Sequence, residues 1–440
     1  MSLSVLRSTA SRRALVRSAS SLTEELPYLP HLNATPLVSE LSVGTSGKGL
    51  GVAAASPAHC TTATLGVTFN SGSRFESDKN AGISLLASKM AFRSTDHRSD
   101  LALYRAIEAI GGSVSSSAGR DYVNLAITVT PEHIDEAAAI LAESVLAPRV
   151  AEWDVATQKT KAQVDIELLN SNADDLLIEG LHAAAFYDNR TLGRSVYSNN
   201  IAKLTGKDVR AFYDENVNAG NMVLVGRGVH QSTLNDIANA YFSDVAAGQR
   251  TAPAASRYIG GEHRVAGAVP ASYVALGFSA GALSAQEKSV AHVLEHVLKS
   301  RLTDKTSAAV RAIYSDASLL GLRGVARPSE SAALVDSFLK QFQTLASTPL
   351  TAAELEAAKK ASGLCYSNFF DSKKGALTQL ARSAFAQSAF TEATAFAGLN
   401  AVSAKDVQSF AEKLVASKPS LASVGDVTNV PRYDDLLQKL

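Results

Sequence analysis

The chain has 440 residues, enough for two to four domains. Its 42 Lys and Arg balance 42 Asp and Glu, and 46% of residues are hydrophobic, which sets it apart from nucleic-acid binders and polybasic membrane-surface proteins. No apolar run approaches the roughly 18 residues of a membrane span, and two widely separated cysteines, Cys60 and Cys365, supply neither a disulfide framework nor a thiolate zinc site.

In the opening MSLSVLRSTASRRALVRSASSLTEELPYLP, Arg7, Arg12, Arg13 and Arg17 are the only charged side chains before Glu24. An Arg-rich, Ser-rich, acid-free start is the composition of a mitochondrial transit peptide. Residues 1–22 are therefore expected to be a presequence, with the mature chain starting between Ser18 and Thr23. Further on, LALYRAIEAIGG predicts a helix closed by Gly111-Gly112. YVNLAITV alternates as a strand, with Val123, Leu125, Ile127 and Val129 on one side. Thr130 and Pro131 then have the chemistry of an N-cap and first helical residue for PEHIDEAAAILAESVL. The stretch from Val245 to Gly261, VAAGQRTAPAASRYIGG, lacks periodicity and reads as a linker. SYVALGF, from Ser272, opens a new run of elements.

That new run repeats the first. LTGKDVRAFYDENVNAGNMVLVGRGV, from Leu204, matches VSAKDVQSFAEKLVASKPSLASVGDV, from Val402. LHAAAF at Leu181 matches LARSAF at Leu380, and Thr130-Pro131 matches Arg327-Pro328. Ordered matches at one offset mean a duplicated unit of roughly 200 residues. The expected organisation is α+β: two homologous lobes, residues 23–244 and 262–440, joined by 245–261. Each lobe mixes strands and helices.

The second copy contains His292-Val293-Leu294-Glu295-His296. Two histidines four residues apart share a helix face, and H-x-x-E-H is the pattern of a zinc-binding helix carrying its own general base. Val290, Val293, Leu294 and Val297 predict the buried stripe, leaving both histidines on the far, polar side.

TLGVTFNSGSRFESDKNAGISLLASKMAFRST resembles the stretch of the pitrilysin-type (M16) metallopeptidase family in which strand, glycine turn and helix carry H-x-x-E-H. Registered on Met90, Phe92, Arg93 and Thr95, the motif positions fall on Leu85, Leu86, Ala87, Ser88 and Lys89. The family's third ligand falls on Asp165. Ile83, Leu86, Ala87 and Met90 predict the core-facing side of that helix, with Leu85, Ser88 and Lys89 on the other. A catalytic zinc needs three protein ligands and an open position, so the resemblance implies a first-lobe site without metal and without catalytic residues. In the second lobe the repeat brings Leu364 to the third-ligand position. Counting along the chain gives Ser372, beside Asp371. His292, Glu295 and His296 are thus expected to be polar residues of a helix rather than a working centre.

The family's mitochondrial branch includes the subunits of the matrix processing peptidase and the core subunits of ubiquinol–cytochrome c reductase. LKSRLTDKTSAAVRAIYSDASLLGLRG lacks the glycine-rich loop of the noncatalytic processing subunit. AIYSDASLLGLRG and the closing SLASVGDVTNVPRYDDL resemble core-subunit segments. The resemblance implies mainly antiparallel sheets flanked by helices, in a bowl-like structural subunit at the matrix side of the inner membrane. It would hold no cofactor and would have as partners the other core subunit, cytochrome b, cytochrome c1 and the Rieske protein in a dimeric complex. A peptidase subunit or a peptide-binding module are the alternatives.

Overall fold

The computed structural model describes residues 40–440 except 48, 57–59, 187–190, 268, 303, 305 and 389. The expected presequence, residues 1–22, and the chain up to residue 39 lie outside the described residues. The first half runs β1 (Glu40–Thr45), β2 (Gly51–Ser56), β3 (Ala63–Phe69), α1 (Ile83–Met90), α2 (Asp100–Ala109), β4 (Ser113–Ala118), β5 (Val123–Val129), α3 (Ile134–Leu146), α4 (Glu152–Ser171), α5 (Ala173–Ala185), α6 (Gly206–Asn216), β6 (Met222–Arg227) and α7 (Gln231–Tyr241). The second runs β7 (Gly261–Ala266), β8 (Ser272–Phe278), α8 (Ala285–Arg301), β9 (Ala308–Ile313), β10 (Ser318–Ala326), α9 (Ser331–Ser347), α10 (Ala352–Asp371), α11 (Lys373–Ala386), α12 (Glu392–Ala401), α13 (Ala404–Val415), β11 (Ser420–Gly425) and α14 (Tyr433–Leu437).

The sheet orders are β1-β2-β6-β3-β5-β4 and β7-β11-β8-β10-β9. β2 pairs with β6, and β7 with β11, in parallel; every other neighbour is antiparallel. Apart from β1, the second sheet repeats the first strand for strand, so the fold is α+β with two mixed, mainly antiparallel sheets. The matched Lys-Asp-Val segments have a local cause. Asp208 accepts from the Thr205 N–H at 2.7 Å, and Asp406 from the Ser403 N–H at 2.9 Å, closing the same capping box on α6 and α13.

Two local expectations shift. Pro131–His133 forms a 3₁₀ turn before α3, and the Thr130 side chain makes no capping bond. The helix expected from Leu101 is α2, which starts one residue earlier, and Gly111 follows it at φ +62°.

The halves exchange a helix. α5 belongs to the first half in sequence, yet Leu177, Leu181 and Ala185 pack with Ala275, Leu319, Ala422 and Val424 of the second sheet. Gly180 permits that approach, because a Cβ there would lie 2.7 Å from the His263 ring. Conversely, Leu377, Leu380, Ala381 and Ala384 of α11 pack with Ala53, Ala55, Val223 and Val225 of the first sheet. LHAAAF and LARSAF, matched by sequence, belong to these two exchanged helices. Residues 246–260 between the sheets carry no regular element beyond isolated bridges at Ala246 and Tyr258.

Candidate functional site

After β3 the chain turns through Gly72 and Arg74 to Glu76, which is buried beneath the start of α1. Glu76 accepts from the Gly82 N–H at 2.7 Å and the Ser84 N–H at 2.9 Å, satisfying helix-terminal donors that nothing else caps. Burial raises its pKa, and these N–H groups work against that rise. Gly82 sits at φ +90°, and a Cβ there would meet Ile201 at 2.4 Å.

α1 packs on α4. Ile83, Leu86, Ala87 and Met90 are buried, as the helical pattern predicts. The expectation that Leu85 and Ser88 lie on an open side is corrected: both are buried, because α4 covers that side as well. The Ser88 Oγ donates to the Leu85 carbonyl at 2.8 Å, turning back onto its own helix. Lys89 alone reaches outward, and its Nζ lies 2.5 Å from Asp165 Oδ2 of α4. The residues at the family's second-histidine and third-ligand positions therefore meet, but as an ion pair. An ammonium stands where a metal cation would be held. A zinc ion does not fit this donor set: Leu85 has no donor atom, Lys89 brings its own charge, and Asp165 is a single ligand already engaged.

The second half presents the five-letter motif on α8, covered by α10. His292 is only 2% exposed, which corrects its expected place on an open polar face. Tyr366 of α10 stands edge-on to its ring at 4.1 Å, and the His296 ring stacks at 5.6 Å. Burial lowers the pKa of both histidines. His292 Nδ1 is 3.6 Å from Glu295 and, among the described residues, has no hydrogen-bond partner; neither has His296 Nε2. Glu295 pairs instead with Arg311 on β9. Burial pushes the Glu295 carboxyl up, but His292 and Arg311 outweigh it and hold the group at about 2. A carboxylate tied in this way to a guanidinium is poorly placed to act as a general base.

The third-ligand position in this half also needs correction. α4 and α10 have the same length, and their inner faces match at Val155/Leu355, Gln158/Ala358, Ala162/Ser362 and Ile166/Tyr366. In that register Cys365, not Leu364, stands at Asp165's place; Leu364 matches the exposed Val164. Asp371 is the last residue of α10, and Ser372 follows as the N-cap of α11. Among the described residues, no group of three or more His, Cys, Asp or Glu side chains is arranged to hold a metal ion.

Sequence reasoning set Tyr314-Ser315-Asp316 apart without a role, and it overlooked Arg74. The buried Arg74 guanidinium donates to Asp121 at 2.9 Å and, across the halves, to Asp316 at 2.7 Å, Ser315 at 3.2 Å and Ser256 at 3.1 Å. Tyr314 Oη lies 2.9 Å from His182 Nε2 on α5. Beside them Arg120 pairs with Glu179 at 2.7 Å. The β9–β10 turn is thus the polar joint between the two sheets. Arg74 lies in the polar run NSGSRFESDKN, where nothing in the sequence marks it as buried.

Comparison with known proteins fits this geometry. Residues 52–200 match the model of Insulinase (Peptidase family M16), and residues 203–362 match that of the Peptidase M16 inactive domain. The chain belongs to peptidase family M16. The potato (Solanum tuberosum) mitochondrial-processing peptidase subunit alpha is 26% identical over 427 residues, covering 90% of this chain and 84% of its own. The mouse (Mus musculus) cytochrome b-c1 complex subunit 2 is 27% identical over 400 residues, covering 84% and 87%. The Euglena gracilis ubiquinol-cytochrome-c reductase complex core protein I is 30% identical over 264 residues, covering 58% and 53%. Both kinds of full-length relative are thus similar to this family member to the same degree.

Proposed function

We propose that this chain is a non-catalytic core subunit of respiratory complex III, the counterpart of the relatives named cytochrome b-c1 complex subunit 2. It lies peripherally on the matrix side of the mitochondrial inner membrane. Residues 23–244 and 262–440 act as its lobes, joined by 245–261. Its partners are core protein 1, cytochrome b, cytochrome c1 and the Rieske protein, and it assists assembly and stability without a metal or redox group of its own. The Lys89–Asp165 ion pair carries the non-catalytic part of the reading, because a fixed ammonium competes directly with any metal for the one carboxylate. The mitochondrial names of the relatives support the location, as does the Arg-rich start. No described helix is long and apolar enough to cross a membrane, in keeping with a peripheral position.

A second reading is favoured by the equal similarity to processing-peptidase alpha subunits: the chain would be one half of a processing heterodimer. Against it, the connection between α8 and β9, residues 302–307, contains no glycine to form the loop of that subunit. Native electrophoresis of solubilised mitochondria separates the two. Co-migration with cytochrome b supports the core subunit. Migration with a presequence-cleaving partner at smaller size overturns it.

A further inference from the structure

The helix that carries Asp165 has two apolar faces. α4 buries Val155, Ala162 and Ile166 inward. On the opposite side Trp153, Val164 and Leu168 are 65%, 49% and 61% exposed. At about 100° per residue these three fall within roughly 60° of arc, along about 22 Å of helix. Thr157 and Thr160 complete the stripe. Their hydroxyls donate to the carbonyls of Trp153 and Ala156 in their own helix, at 2.9 and 3.2 Å, so the stripe offers no free hydroxyl proton outward. The Arg149 guanidinium lies over the Trp153 ring at 5.7 Å and steadies it.

The duplication supplies an internal control. α10 does the same packing work in the second half, and at the matching outward positions it carries Ala353, Ala357, Lys360, Leu364 and Asn368, all exposed. The fold itself therefore does not call for a tryptophan, a valine and a leucine here. Solvent exposure of such a row costs free energy that a covering surface returns.

We infer that the outer face of α4 is a docking surface for another protein subunit, one with an apolar centre and a basic rim. This rests on the proposed role as a subunit of an assembly. The rim of the stripe fixes the chemistry of the occupant. Glu152 and Glu167 are exposed beside it and Asp154 is half-exposed, three acids against two bases, Lys161 and the Arg149 already engaged with the Trp153 ring. An anionic lipid surface is repelled by such a rim. A second copy would bring acid against acid. A partner with Lys and Arg around an apolar patch satisfies both parts. Trp153, at one end of the row, is the anchor, because tryptophan carries a disproportionate share of binding at protein interfaces.

The test places p-benzoylphenylalanine at Val164 in the full chain within mitochondria, with irradiation and mass identification of the product. A cross-link to a different protein subunit is expected. Cross-linking to a second copy, to residues 1–39 of the same chain or to lipid, or no product at all, overturns the inference. In parallel, the W153S/L168K variant is expected to be retained in the native assembly roughly 30-fold less than wild type. L364K, at the matching face of α10, is expected to be retained as wild type. Circular dichroism checks that both variants are folded. Full retention of folded W153S/L168K overturns the inference. If the wild-type chain fails to migrate with cytochrome b, the complex III reading falls, while the Val164 cross-link still decides whether this face meets a protein.

Discussion

The two halves solve one packing problem with opposite chemistry. In each, the helix that follows the matching strand, β3 or β8, lies under a 20-residue helix. In the first half that contact is closed by Lys89 and Asp165, a partly exposed pair of opposite charges. In the second it is closed by the buried His292 imidazole against Tyr366, with His296 stacked on it and Glu295 turned aside to Arg311. The half whose letters spell a zinc motif has Cys365 at the third-ligand place, but among the described residues no three such side chains are arranged to hold a metal; the half that keeps a third-ligand carboxylate has lost the motif. A motif is therefore informative only together with the residue that faces it across the helix pair.

The largest expected effect comes from the joint that lets the halves be compared at all. Arg74→Leu leaves Asp121 and Asp316 without their cation and should cost roughly 3–5 kcal/mol. Urea unfolding followed by circular dichroism would register this, and a single wild-type-like transition would show that the joint is not structural.

The next effect separates the halves by pH. His182 is held neutral, with a pKa of about 3, by burial and by Arg120; His292 and His296 are also lowered, chiefly by burial. For each, the unfolded chain takes up a proton first. Stability is therefore full above about pH 6.5 and is lost as pH falls toward the folded values. Melting curves between pH 7.5 and 5 should show the loss, amounting to roughly 1–3 kcal/mol. His292→Gln should flatten the slope, whereas Lys89→Met should leave it as steep as in wild type. An equal slope in the His292→Gln protein would remove His292 from the account.

A smaller effect belongs to the first-half pair. A double-mutant cycle of Lys89→Met and Asp165→Asn should return a coupling of no more than about 1 kcal/mol, as expected for a partly exposed ion pair. Chelation should do least. Dialysis against EDTA is expected to leave the melting temperature unchanged, and a drop of several degrees would mean that a metal supports one of the halves.

Much of the architecture was legible in one dimension because it is written in local chemistry. The capping acids Asp208 and Asp406, the alternation in β5 and the glycine at φ +62° after α2 are short-range features. Reading them at one offset disclosed the duplication. The resemblance in the first half brought Lys89 and Asp165 into view, 76 positions apart, but only the fold joined them. The error at Leu364 arose because LARSAF lies on α11, and a match carried back from there missed the register of α10 by one residue. The errors at Leu85, Ser88 and His292 share another cause. A helical wheel separates apolar from polar sides, but it cannot say that a second helix covers the polar one.

The sequence by itself determined the repeat and the mixed α and β elements. These depend on residue type and on spacing along a single segment. Only the tertiary structure decided that each half lends a helix to the other's sheet, that Arg74 meets Asp316, and that the cation beside Asp165 is a lysine. Such contacts join residues distant in the chain. They are selected by total burial and charge compensation, quantities that exist only once the surfaces are assembled.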